Sequence, residues 1–263
     1  MQTLPLITKS ARLLALCALL GAIPGTSAWA ECPIPADEFE PDPTATSEFL
    51  LDHCRFKAQG TNPFFILQPG YQIVLESDEE LQVITVLNRT LRVQGVKTRV
   101  VEEMEYEKDG DELVPVERSL NFMAICRKNN SVMYFGEDVE DFDEDGNVIS
   151  HEGEWRAGRN GARPGVVMPG SILIGGSYYE EIAPEDEALD KGTIVSIDDG
   201  CEAGDHAFEQ KCVRIVGTSD CDLDDEEEKL YADGVGIVQD EDLEIVSWGF
   251  VPGFGPDNGP EDK

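Results

Sequence analysis

Leu81-Gln82-Val83-Ile84-Thr85-Val86-Leu87 carries the pattern that decides the fold. Val83, Thr85 and Leu87 fall on one face of an extended chain, with Ile84, Val86 and Asn88 on the other. That period of two is what a β-strand imposes on its side chains. Working outward, short segments of the same kind recur in both directions. Tyr71–Glu76 precedes it; Thr98–Met104, Leu113–Arg118, Phe122–Cys126 and Val132–Phe135 follow. Further on come Val148–His151, Ser177–Ile182, Thr193–Ile197, Cys212–Val216, Gly236–Val238 and Leu243–Trp248. Between them sit Asp109-Gly110, Asn129-Asn130, Asp145-Gly146 and Asp199-Gly200, residues that accept the positive φ of tight hairpins. Long amphipathic helical stretches are missing. The class is all-β, an antiparallel sandwich or barrel.

The first 30 residues read as a signal peptide. Lys9 and Arg12 give a positive start, Leu13 to Ile23 is apolar, and small residues precede a cut after Ala30. The apolar stretch is shorter than the roughly 20 residues a membrane-spanning helix needs, and no later stretch reaches that length. The expectation is a secreted or periplasmic protein with no membrane span.

Removal of Cys17 with the signal leaves Cys32, Cys54, Cys126, Cys201, Cys212 and Cys221. An even set in an oxidising compartment reads as disulfides, with 15 pairings open. Local spacing favours Cys32 with Cys54 and one pair within Cys201, Cys212 and Cys221. Cys126 then ties the sheet to one end of the chain. No C-x-x-C pair supports a zinc site.

Domain organisation follows composition. Residues 31–60 form a Cys- and Pro-rich arm with a short helix from Ser47 to Phe56. Residues 61–251 form the β-rich domain. Within it, 198–230 is acidic and holds three cysteines, and is expected to leave the sheet as a disulfide-pinned insert. The Gly-, Pro- and acid-rich tail, 252–263, is expected to be disordered.

Charge excludes several partners. Lys9 and Arg12 are two of the 20 basic residues, so the mature chain sets 18 against 54 acidic ones. Such a chain repels nucleic acid and anionic lipid and attracts cations or a basic protein. Acidic surface also serves solubility alone.

Three segments carry a resemblance, in order along the chain. They are Phe64-Phe65 with Pro69-Gly70-Tyr71, then Tyr134-Phe135-Gly136-Glu137, then Gly153 to Gly165 with Trp155, Gly158, Gly161 and Pro164. Together they are similar to a group of uncharacterised exported bacterial proteins with N-P-x-F-x-L-x-P-G, Y-F-G-E and G-x-W-x-A-G-x-x-G-A-x-P-G motifs. The resemblance implies a β-rich exported domain and no particular activity.

One motif carries chemistry. Asp141-Phe-Asp143-Glu-Asp145-Gly146-Asn147, closed by Glu152, fits D-x-[DN]-x-[DN]-G-x5-E. Ca²⁺ takes hard oxygens. Alternate acids at Asp141, Asp143 and Asp145, the Asn147 carbonyl and Glu152 would supply them. Strand rather than helix is expected before this loop, and glycines follow it, so the readings are a calcium-binding hairpin turn or an acidic turn with no ion, ahead of a helix-flanked EF-hand. Catalytic signals are sparse. There is no G-x-S-x-G, H-E-x-x-H or phosphate-binding loop. His151 beside Glu152 and His206 beside Asp205 point to opposite faces of an extended chain. The expected function is a non-catalytic exported binding or structural protein, calcium-stabilised at that loop. The alternative is an extracytoplasmic hydrolase of glycan or peptide. A cleft with two inward carboxylates, against a filled interior, separates the two.

Overall fold

The computed structural model describes Cys32 and residues 34–110, 112–222 and 226–252. The signal segment, 1–30, and the tail from 253 lie outside the described residues.

One antiparallel sheet has thirteen strands along its path, with three short strands, Phe56–Lys57, Val148–Ser150 and Trp155–Arg156, paired alongside. In chain order the thirteen are β1 Tyr71–Glu76, β2 Glu80–Val93, β3 Val96–Asp109, β4 Glu112–Cys126, β5 Val132–Phe142, β6 Arg163–Met168 and β7 Ser177–Tyr179. Then come β8 Glu181–Ile182, β9 Asp190–Asp198, β10 Cys212–Ser219, β11 Glu226–Ala232, β12 Gly236–Asp240 and β13 Leu243–Phe250. The sheet curls into a nearly closed barrel. From β1 to β6, and again from β9 to β13, each strand pairs with its neighbour in sequence. The last strand returns to the first, with Phe250 opposite Tyr71.

The two runs meet on a split strand. Its first half, β7, pairs with β9, placing Tyr179 opposite Lys191. Its second half, β8, pairs with β6, placing Ile182 opposite Arg163. Only Gly fits at position 165 of β6, because a Cβ there would lie 2.3 Å from the Glu180 carbonyl oxygen. Register shifts at Val86/Thr90, Glu105/Tyr106, Asn121/Met123 and Ile245/Ser247 supply the bends that let long strands curl.

One end of the barrel is plugged. A small hairpin, Gly60–Asn62 with Phe65–Leu67, lies across it. The Asn62 side-chain amide donates to the Asn130 and Pro169 carbonyls, and Gly234 N–H donates to the Pro63 carbonyl. Phe64 and Leu67 are buried in the core with Val86, Val101, Met123 and Ile245. The hairpin turns at the other end hold Ser77 to Glu79, Asp143 to Asn147 and Glu241-Asp242, so acidity collects there.

The arm before the barrel runs extended. Thr46 N–H donates to Ser177 O, and Tyr179 N–H donates to Thr46 O, so the arm covers the free edge of β7. Beside it Lys191 is paired with Asp220, which also accepts from the Tyr179 hydroxyl at 2.6 Å. The expected helix from Ser47 to Phe56 is a single 3-10 turn, Leu51–His53. Leu50 sits in the left-handed region at φ 48°, which a helix cannot pass through, and Phe56 already pairs with Cys126.

The six cysteines pair as Cys32–Cys221, Cys54–Cys126 and Cys201–Cys212. The expected Cys32–Cys54 bond is not made. The arm's bonds to β7 carry Cys32 to the turn between β10 and β11, while Cys54 is delivered to the end of β4. The expected insert is also smaller than its composition suggested. Cys201–Ala203 and His206–Phe208 form a hairpin outside the barrel, stapled by Cys201–Cys212. Residues 212–219 and 226–232 are barrel strands β10 and β11. Among the described residues, no helix is long and apolar enough to cross a membrane.

Candidate functional site

The barrel interior is unfilled toward its acidic end. A cavity of about 520 Å³ opens there, and thirteen of its lining residues carry carboxyl groups while Lys229 is its one basic lining residue. The strands explain how acids come to face inward. Pairing aligns Val86, Val101, Asn121 and Glu137 in an inner tier across β2 to β5. Two residues outward lie Ile84, Glu103 and Ser119. Two further outward lie Gln82, Glu105, Glu117 and Asp141. The lumen is therefore apolar near the plug and carboxylic toward the opening. Glu105 directly opposite Glu117 is a like-charge pair, which costs stability in a sheet.

Burial sets the protonation of this wall. It pushes Glu103 up to about 8, reinforced by Glu105. Glu117 rises to about 7 from burial, with Glu105 and Asp141 adding repulsion. Glu137 is pushed up to about 8 by burial, against the opposing hydrogen bond of Tyr134. On the facing wall, burial raises Glu180 to about 7 against the pull of Lys229. Glu181 is raised well above the usual range by burial, then by Asp190 and Glu137. Lys229 stays charged: burial opposes its charge, and Asp240 and Glu227 outweigh it. Its Nζ lies 2.9 Å from Glu227 Oε2 and 3.8 Å from Asp240 Oδ2.

Glu181 is 6% exposed and shares its proton with Asp190, which holds the acid neutral. Gln82 is 5% exposed; its Nε2 donates to Glu103 at 2.7 Å and Glu105 at 3.2 Å, while its Oε1 has no partner within the protein. Of the tyrosines in the lining, Tyr71 donates to the Val235 carbonyl at 2.7 Å, and Tyr134 donates to Asn121 Oδ1.

The candidate calcium residues lie at the same end. Asp141 is on β5, opposite Glu117 and Ser150. Asp143 begins the turn, and its Oδ1 accepts from Asp145 N–H at 3.0 Å and Asn147 N–H at 2.8 Å. The Asn147 side-chain amide also donates to both Asp143 oxygens at 3.1 Å. An ion entering this turn has to displace that amide. Glu152 is on the return limb, its N–H bonded to Ser150 Oγ. Among the described residues, no three His, Cys, Asp or Glu side chains are grouped closely enough to hold a metal ion. The histidines stand apart from the lumen. His151 contacts the Val139 carbonyl, and His206 packs edge-on against Trp248 at 5.0 Å.

Sequence reasoning missed the lumen. Its signal was carboxyl and amide side chains at alternate positions, as in Glu103-x-Glu105 and Glu117-x-Ser119-x-Asn121. Comparison with known proteins finds no family model, curated protein or solved structure that matches this chain.

Proposed function

We propose that this is an exported, non-catalytic binding protein whose ligand site is the lumen of the barrel; the open interior with inward carboxylates is the arrangement expected of a hydrolase, so turnover is tested beside binding. The observation that carries the reading is the 520 Å³ cavity, apolar toward the plug and lined by carboxyl groups toward its opening. Small-molecule sites fall in this size range and combine an apolar body with a few placed polar groups. Three disulfides support the export part of the reading, since such bonds persist outside the reducing cytosol. The test is a chemically mixed small-molecule panel screened by thermal shift on the mature chain and on Ser119→Phe, whose ring would occupy the middle tier. Ligands that stabilise the first and not the second locate the site in the lumen. Equal responses from both proteins would refute it.

One observation favours a second reading, a hydrolase of glycan or peptide. Protonated Glu103 and Glu137 face the same water as ionisable neighbours, the division of labour between acid and base that such enzymes use. Turnover of a glycan or peptide substrate that Glu137→Gln abolishes would move the protein to that class.

A further inference from the structure

We propose that the plugged end of the barrel, on the side of β2 to β6, is a docking surface for anionic lipid headgroups. Unpaired basic side chains and one exposed apolar loop make the surface, and it is independent of what the lumen holds.

The sequence segregates the charge. Asp and Glu number 54 in the chain, yet none falls within 53–75, 81–101, 118–136 or 155–179. The fold brings basic residues of those four segments to one end. Beyond Met123, which faces Arg99, β4 exchanges β3 for Phe56–Lys57 as its partner. Arg127 N–H donates to the Arg55 carbonyl at 3.0 Å, so Arg55 and Lys57 stand beside Arg127 and Lys128. On the other flank the β2–β3 hairpin sets Arg92 directly opposite Lys97. Gly158 abuts that hairpin: a Cβ on it would lie 3.2 Å from Gln94 Cγ, so Arg159 is next to the turn. Among the described residues, Arg55, Lys57, Arg92, Lys97, Arg127 and Lys128 are not ion-paired. By contrast Lys108, Arg118, Arg163, Lys191, Arg214 and Lys229 each meet a carboxylate. Like charges directly opposite, as at Arg92 and Lys97, cost stability in a sheet, and no described acid offsets them. An external anion would.

The loop between β6 and β7 supplies the second component. Gly170 N–H donates to Ser131 Oγ at 3.0 Å, so the loop leaves beside the β4–β5 turn. Gly176 N–H donates to Leu173 O at 2.8 Å and Gly175 N–H to Ile194 O at 2.7 Å, which hold it as a fixed turn. Leu173 and Ile174 at its tip are 69% and 65% exposed. Basic residues beside exposed aliphatic ones suit the headgroup layer of an anionic membrane, which takes up both. Nucleic acid or an anionic polysaccharide would use the charge and leave Leu173 and Ile174 in water.

Net charge alone keeps this chain off anionic surfaces, but charge acts over a short range. Along β3, Lys97 at this face and Asp109 at the open end are about 40 Å apart at 3.3 Å per residue. The Debye length at physiological salt is about 8 Å, so the open end's acids are screened here. Acids that do reach this end, such as Glu202, Asp205 and Asp233, lie in the outer hairpin and the β11–β12 turn, on the side of β9 to β13. Docked this way, the barrel turns the mouth of its lumen away from the lipid.

The experiment is vesicle co-sedimentation of the mature chain at physiological salt. One set of vesicles is phosphatidylcholine alone, the other phosphatidylcholine and phosphatidylglycerol in equal parts. The mixed vesicles should carry the protein down and the neutral ones leave it in solution. Arg92→Gln with Lys128→Gln should weaken binding about 25-fold, roughly fivefold for each charge removed. Lys211→Gln, a charge paired with Asp199 on the other side of the barrel, should leave it unchanged. Leu173→Ser with Ile174→Ser should weaken it by about tenfold or more. All five side chains are exposed, and circular dichroism matching the parent's verifies that the variants fold. Equal binding to both vesicles, or to neither, refutes the proposal, as does parent-like binding by Arg92→Gln with Lys128→Gln. If heparin or single-stranded DNA binds as tightly as the vesicles, and Leu173→Ser with Ile174→Ser changes nothing, the face reads charge alone and the lipid assignment is wrong.

Discussion

Replacing Glu103 with Gln isolates the lumen's proton from everything else an acidic chain does with pH. Glu103 points into the barrel between Ile84 and Ser119, and burial with the nearby Glu105 holds its carboxyl up to about 8 against an ordinary 4.5. Between those values the folded chain keeps a proton that the unfolded chain has released. The unfolded state then binds fewer protons, so stability falls as pH rises through this window and levels off above about 8. One whole proton is worth about 1.4 kcal/mol per pH unit. Glu103 lines the open lumen rather than packed side chains, so screening reduces this, and about 1 kcal/mol per unit is the working figure. Gln keeps the acceptor that Gln82 Nε2 bonds and carries no titrating proton. Urea unfolding at pH 5, 6, 7 and 8, at fixed ionic strength, reads the slope directly. Both proteins lose stability with pH through general repulsion, since the formal net charge is -34. The Gln variant should lose it more slowly by about 1 kcal/mol per unit, overtaking the parent by pH 8. Parallel curves would refute the placement of a protonated acid in the lumen.

Other expectations follow from single contacts. Gly165→Ala drives a methyl group to 2.3 Å from Glu180 O and should cost about 3 kcal/mol in urea unfolding. Gly217→Ala meets only ordinary contacts, 3.5 Å at the nearest, and should unfold close to the parent. Thiol titration of the denatured, unreduced mature protein should find no free cysteine. Cys54→Ser with Cys126→Ser opens a 72-residue loop and should lower stability by about 4 kcal/mol in urea unfolding. Calcium should raise the melting temperature no more than equal ionic strength of sodium, because Asp143 is engaged by Asn147 and Asp145 and no three acids are grouped at the turn among the described residues. A calcium-specific rise that Asp143→Asn with Asp145→Asn removes would establish the calcium loop instead.

The strands were legible because alternation along Leu81 to Leu87 reports directly on the pleat. The barrel was not, since a sandwich and a barrel impose the same alternation and differ only in whether β13 returns to β1. Acids misled in one respect. Charge ordinarily points to solvent, so the alternating acids Glu103, Glu105 and Glu117 carried no signal of an inward face, yet they line the open lumen. Composition likewise hid β11 within an acidic, Cys-containing stretch, although the apolar segment Cys212–Val216 already marked β10. The Arg214 and Lys229 ion pairs with Glu228 and Asp240 offset part of that charge in three dimensions, where sequence shows only a run of acids. The Cys32 pairing depends on 189 residues of intervening path and had no local signal.

The return of β13 to β1 has a consequence for how the protein comes into being. Every other pairing in the barrel joins neighbouring strands, hairpin to hairpin or through the split strand, and can form as soon as its second strand emerges. β1 is among the first barrel strands to leave the ribosome, yet its outer edge waits for Leu243–Phe250, almost the whole chain later. Through that interval a six-residue strand with Ile73 and Leu75 presents unpaired N–H and C=O groups, the kind of edge on which chains join one another. A nascent chain stalled or cleaved before residue 243 keeps that edge permanently open. Such truncated products should be aggregation-prone however complete their other strands are, and the last eight-residue strand acts as the seal that makes this sheet safe.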